Sequence, residues 1–145
     1  MYILFNSQIF IYMKLLEILS EDVKIPFKEK CRITIINNNG DSIKVSCEIP
    51  TSEEEQGIGL MYRDSLGEYN GMLFNDIDGG FWMKNVKIPL EMIFIKDDII
   101  VDIQKAKPND ERIITPKTKS EMNLEVNDGF SKKNNISVGN KIYKS

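Results

Sequence analysis

Two runs of strict apolar–polar alternation, CRITII and SIKVSC, flank the tetrapeptide Asn37-Asn38-Asn39-Gly40. Period-two alternation around an Asn/Gly turn predicts a β-hairpin with one buried face. Opposed residues of an antiparallel pair share a face, so Ile33 and Ile35 must meet apolar partners rather than Ser46 or Lys44. A three-residue loop with Gly40 in the left-handed position satisfies this, pairing Ile35 with Ile43, Ile33 with Val45 and Cys31 with Cys47. The thiols then face each other, and the expected state is a reduced pair on the core face. A disulfide and a metal half-site are the alternatives.

Pro50 closes the second strand, and Thr51-Ser52-Glu53-Glu54-Glu55 carries the spacing of a capping box with three carboxylates in a first helical turn. The helix this predicts runs toward Arg63–Leu66. Gly57 and Gly59 inside it point to close backbone approach, with Leu60 and Met61 delivered to the core. Beyond Gly71 the pattern becomes strand-like: Met72-Leu73-Phe74, then Phe81-Trp82-Met83-Lys84-Asn85 as its hairpin partner, then a second hairpin, Glu91–Lys96 with Ile99–Lys105, turning at Asp97-Asp98. Residues Ala106–Ser120 read as one long irregular loop. Met122–Val126 is a strand, Phe130–Asn135 a helical turn, and Val138–Tyr143 a closing strand.

The first residues break this order. MYILFNSQIFIYMKLLEIL is apolar, yet Asn6, Ser7 and Gln8 interrupt the run and no small-residue cleavage site follows, so no signal peptide is recognised. Lys14 and Glu17 fall inside the only window long enough to span a membrane. Ile9–Leu19 is therefore read as an amphipathic helix or strand docking on the domain, with a peripheral membrane or partner-binding helix as the alternative. The expected organisation is an N-terminal arm or docking segment over residues 1–30 and a single β-rich domain over residues 31–145.

Composition narrows the chemistry. With 145 residues, 41% hydrophobic and 28% charged, the chain is an ordinary globular domain. A net charge of -3 leaves no excess of cations to neutralise phosphates, which argues against wholesale nucleic-acid binding. There is no histidine, which removes the commonest general base and nearly every usual zinc site. No catalytic residue, metal site or cofactor is assigned. The segment FWMKN sets Trp82, the sole tryptophan, beside Lys84: a stacking plate next to a point cation, suited to a small anionic or sugar-like ligand. On a strand, Phe81, Met83 and Asn85 would face one way and Trp82 and Lys84 the other. Arg63 stands out in a chain that prefers lysine, and its fork suits a carboxylate ligand or a structural pair with Glu91 or Glu125. The candidate ligand- or partner-binding set is Arg63, Trp82, Lys84, Asn85 and Glu91.

The runs Gly59-Leu60-Met61-Tyr62-Arg63, Gly71-Met72-Leu73-Phe74, Phe81-Trp82-Met83-Lys84-Asn85 and Ile88-Pro89-Leu90-Glu91-Met92-Ile93-Phe94-Ile95 occur in this order, with Leu124-Glu125-Val126 and Val138-Gly139-Asn140-Lys141-Ile142 behind them. In this the chain resembles the domain-of-unknown-function 192 family, from the second strand of the first hairpin to Tyr143. The resemblance implies a small β-rich, barrel-like domain of a kind found in bacteria, archaea and some phages, with no agreed activity. The chain departs from the family's usual pattern at Val86, Glu91 and Asn140, where threonine, aspartate and aspartate are usual.

The fold class expected is α+β, mainly antiparallel strands in a compact barrel-like sheet with one principal helix. The first functional reading is a non-enzymatic ligand-binding or protein-interaction domain. Its rivals are a component of a larger assembly such as a phage particle, held through residues 1–19 by another protein or a second copy, and a hydrolase using Glu91 or Asp102 as base beside Lys84 or Arg63. The compartment implied is the cytoplasm or, for a phage-encoded chain, the virion.

Overall fold

The computed structural model describes Tyr2–Ile3 and residues 27–145. The elements are β1 (Tyr2–Ile3), β2 (Lys30–Ile36), β3 (Ser42–Glu48), α1 (Glu53–Ile58), β4 (Asn70–Phe74), β5 (Gly80–Phe81), β6 (Leu90–Lys96), β7 (Ile99–Ala106), β8 (Met122–Asn127), α2 (Phe130–Lys133) and β9 (Ile142–Lys144). Seven strands follow one another in the order β7-β6-β8-β4-β3-β2-β9. The ends of this row meet: Ile100 N–H donates to the Asn140 carbonyl at 3.0 Å and Ile142 N–H to that of Asp98 at 2.9 Å, closing a barrel.

The first hairpin has the register that parity demands, with Ile35 opposite Ile43, Ile33 opposite Val45 and Cys31 opposite Cys47. Ser52 caps α1 by accepting from Glu55 N–H at 3.1 Å, and Glu55 Oε1 reaches back to accept from Thr51 N–H at 3.1 Å. This helix ends at Ile58, well short of Arg63–Leu66, because Gly59 turns out of helical space at φ 50, ψ -125. The crossover through α1 then lays β4 parallel to β3, and β8 takes its other edge antiparallel. Met72–Phe74 is thus not the hairpin partner of residues 81–85. Only Gly80–Phe81 is a strand there, and it pairs with β1. The closing strand begins at Ile142 rather than Val138, because Gly139 (φ 97) turns the chain just before it.

The barrel interior holds Ile33, Ile35, Val45, Leu73, Ile93, Ile95, Leu124 and Val126, with Phe130 of α2 entering from one end. A second core lies outside the sheet, where Met72, Phe74, Leu90, Met92 and Phe94 are covered by Leu60, Met61, Phe81, Met83, Val86 and Ile88. The strand sequence LEMIFI is accordingly buried on both faces. Phe81 locks the layers together through edge-on contacts with Phe74 and Phe94, at centroid distances of 5.2 and 6.0 Å. Gly71 sits where a Cβ would approach the Glu125 carbonyl oxygen to 2.8 Å, so any other residue at this rung must push backbone aside.

The docking segment read at Ile9–Leu19 lies outside the described residues. No helix among the described residues is long and apolar enough to cross a membrane.

Candidate functional site

Past α1 the chain makes a tight turn from Leu60 to Arg63, with Tyr62 at φ 61 in its third position. Past β5 it makes another, Met83 to Val86, with Val86 N–H donating to the Met83 carbonyl at 3.0 Å and Asn85 at φ 59 in the third position. Asparagine tolerates the left-handed region because its short amide bonds locally; a tyrosine there is a genuine outlier. The two turns face each other. Tyr62 N–H donates to the Asn85 carbonyl at 2.9 Å, and Asn85 Nδ2 donates to the Tyr62 hydroxyl at 2.9 Å.

Of the five residues singled out from the sequence, Asn85 is half of this clasp, Trp82 and Lys84 precede it in the same segment, and Arg63 follows Tyr62. Lys84 Nζ stands 5.4 Å from the centroid of the Trp82 ring, a cation–π arrangement. Glu111 approaches the same ammonium at 3.7 Å. The alternation expected of a strand over residues 81–85 holds only in part: Phe81 and Met83 are buried, whereas Trp82, Lys84 and Asn85 are all half-buried because the turn brings them to one surface. Arg63 leaves the first turn in another direction. It forms a forked ion pair with Glu48 at the end of β3, a carboxylate the sequence reading passed over in favour of Glu91 or Glu125, and its Cζ lies 5.4 Å above the Phe27 ring.

Glu91 belongs to a different place. It is 3% exposed, and its oxygens accept from Gly129 N–H at 2.8 Å and Ser131 N–H at 3.2 Å. The carboxylate thereby satisfies the first amides of α2, which plugs the barrel end. Asp102 is similarly committed: its Oδ2 accepts from Gln104 Nε2 at 2.7 Å and from Lys117 N–H at 3.0 Å. Sequence reasoning also missed Tyr62. Its one signal was its position inside the run Gly59–Arg63, because nothing local announces that a tyrosine will be left-handed.

The half-buried side chains of Trp82, Lys84 and Asn85 form a ridge, and the loop that carries Glu111 backs it. Asn109 N–H donates to the Val86 carbonyl at 3.0 Å, and Met83 N–H to that of Asp110 at 2.8 Å. Hydrogen bonds from Arg112 hold the Asp110 carboxyl down to about 2. On the far side of Arg63 lies an open cleft of about 680 Å³, lined by Cys31, Arg32, Cys47, Glu48, Arg63 and Asn70 among others. Among the described residues no group of three or more His, Cys, Asp or Glu side chains is arranged to hold a metal ion.

The profile of DUF192, described as "Uncharacterized ACR, COG1430", matches residues 34–143. The chain belongs to the DUF192 family. Two solved structures are similar to this DUF192 chain. One is a Sinorhizobium meliloti 1021 protein named as a candidate transcription regulator, with 30% identity and a TM-score of 0.77 over 83% of this chain and 97% of that one. The other is a Novosphingobium aromaticivorans DSM 12444 protein of unknown function, with 31% identity and a TM-score of 0.71 over 77% of this chain and 83% of that one. No curated protein matches the chain.

Proposed function

We propose that this DUF192 chain is a non-enzymatic binding domain whose ligand surface is the ridge formed by Trp82, Lys84 and Asn85, with Arg63, committed to Glu48, outside it. The observation that carries the reading is the facing pair of left-handed residues, Tyr62 and Asn85. Holding a non-glycine residue in that region costs about 1–2 kcal/mol. Such strain persists only where its surroundings over-determine it, and it concentrates at ligand clamps and active sites. Beside it, an indole face, an ammonium and an amide are gathered at one turn. That set suits a sugar acid or a similar small anion, with an apolar face for Trp82 and a carboxylate for Lys84. The pair between Lys84 and Glu111 is long, and Glu111 is 64% exposed, so a ligand carboxylate displaces it at little cost. Glu91 supports the domain from beneath α2 rather than contacting the ligand.

A hydrolase based on Glu91 or Asp102 finds less support, because both carboxylates already accept hydrogen bonds from the protein's own N–H groups. The regulator name carried by the S. meliloti protein would call for an excess of cations toward nucleic acid, and this chain carries a net charge of -3.

The test uses Trp82 as its own reporter, since it is the sole tryptophan. Its fluorescence is titrated with galacturonate, glucose 6-phosphate and neutral galactose. The reading expects a saturable change with an anionic sugar that weakens about tenfold in Lys84→Ala, the loss of one charge-assisted contact. No response to any of the three, or an equal response in Lys84→Ala, would overturn it.

A further inference from the structure

We infer that Cys31 and Cys47 form a reversible intramolecular disulfide, with a small-molecule disulfide as the oxidant. The two residues are directly opposed across β2 and β3, and both are thiols in this structure. Arg32 N–H points away to Ser145 of the β9 side, and Ser46 N–H points away to Tyr69 on the β4 side. The amides of Cys31 and Cys47, one residue along each strand, therefore point at each other, which makes this a hydrogen-bonded rung. At such a rung the Cα atoms lie about 5.5 Å apart, inside the window of about 4.4–6.8 Å that disulfides occupy. The Cβ atoms stand farther apart than at a non-hydrogen-bonded rung, whereas a disulfide wants about 3.8 Å. The bond can thus form in the folded barrel but pulls the strands inward, and strained disulfides of this kind are the readily reduced ones.

Access is one-sided. Both cysteines line the cleft, but Cys31 is half-buried whereas Cys47 is 2% exposed. Burial pushes both thiols up, and the Lys144 ammonium opposes this in each. Attack therefore starts at Cys31 and speeds up as pH rises into the alkaline range. Its thiolate attacks one sulfur of the oxidant RSSR, forming a Cys31–SR mixed disulfide and releasing RS⁻. The Cys47 thiolate then attacks Cys31 Sγ, expelling the second RS⁻. The two protons go to the released thiolates, so two protein thiols and one RSSR become one protein disulfide and two RSH.

The experiment treats the full chain with oxidised glutathione at mildly alkaline pH and follows intact mass. With only two cysteines the outcome is unambiguous. The expected product has lost two hydrogens, carries no glutathione, has no alkylatable thiol and returns to the dithiol with excess reduced glutathione. Cys47→Ser is expected to stop at one glutathione on Cys31. A wild-type chain that stays reduced, keeps glutathione as its end product or links to a second chain would overturn the inference. So would a disulfide that excess reduced glutathione leaves intact. Because the readout is mass on the wild-type chain, it stands whether or not the serine variant folds, and it is independent of ligand binding at Trp82.

Discussion

Tyr62 and Asn85, 23 residues apart, are joined by two hydrogen bonds, backbone to backbone and side chain to side chain, while both sit at positive φ. Each turn would be strained alone; together each supplies the partner that holds the other. Asn85→Gly keeps the backbone conformation and loses the side-chain bond to the tyrosine hydroxyl, a loss of about 1 kcal/mol. Asn85→Ala loses the bond and also places a Cβ-bearing residue without a local amide in the left-handed region, for about 1 kcal/mol more. Urea denaturation midpoints of the two variants check the order; equal loss in both would contradict it.

Glu91 invites a sharper test, because its type and its place in the sequence pattern point to a ligand site while its contacts point to a structural one. Glu91→Ala leaves the half-buried amide of Gly129 and the buried amide of Ser131 without their charged acceptor, at about 1.5–3 kcal/mol for a hydrogen bond to a charged group. Glu91→Gln keeps one acceptor oxygen and should lose about half as much. Thermal denaturation gives the ordering, and a Glu91→Ala chain as stable as wild type would refute the capping role.

Gly71 tests the barrel rung between β4 and β8. A Cβ there would meet backbone, the Glu125 carbonyl at 2.8 Å, and then the Leu124 side chain at 3.0 Å. Backbone cannot swing aside as a side-chain tip does, so Gly71→Ala should destabilise by about 1–3 kcal/mol. A neutral change in the chemical denaturation midpoint would mean the rung is looser than described.

What could be read in advance was whatever local chemistry over-determines. Parity and Gly40 together fixed the register of the first hairpin, down to Cys31 opposite Cys47. The Ser52–Glu55 capping box likewise needs only its own residues. Pairing of β4 was not legible. Turn residues 76–80 suggested a local hairpin, but the competing partners, β3 through the α1 crossover and β8 some fifty positions on, are set by which faces must be buried twice. The same limit hid the carboxylate partners: Glu48 reaches Arg63, and Glu91 reaches α2, only after the barrel has closed. Trp82, Lys84 and Asn85 could be singled out because they are adjacent in sequence; the contact of Tyr62 with Asn85 needs the folded chain.

The Asp110–Arg112 pair predicts a pH response in the loop behind the ridge. The folded-state carboxyl lies at about 2 against an ordinary 3.8, held there by hydrogen bonds from Arg112. A depressed carboxyl contributes fully above the ordinary value and loses its contribution as pH falls through the folded one. The loop signals of Asp110 and Arg112 should therefore titrate near pH 2 in a carbon-detected NMR series, and Arg112→Gln should move Asp110 back toward 3.8. An unmoved Asp110 in that variant would remove the pair from the account.

The central claim is that the ridge at Trp82 is where this domain binds, and its single indole N–H makes the claim directly measurable. In a ¹⁵N–¹H NMR titration of the full chain with galacturonate, the account predicts saturable shifts of the Trp82 indole and of the Lys84, Asn85 and Tyr62 amides. Residues of the opposite barrel wall, such as Thr34 and Tyr143, should stay still. Shifts that spare the Trp82 indole and gather elsewhere, or no shifts at all with galacturonate or glucose 6-phosphate, would contradict it.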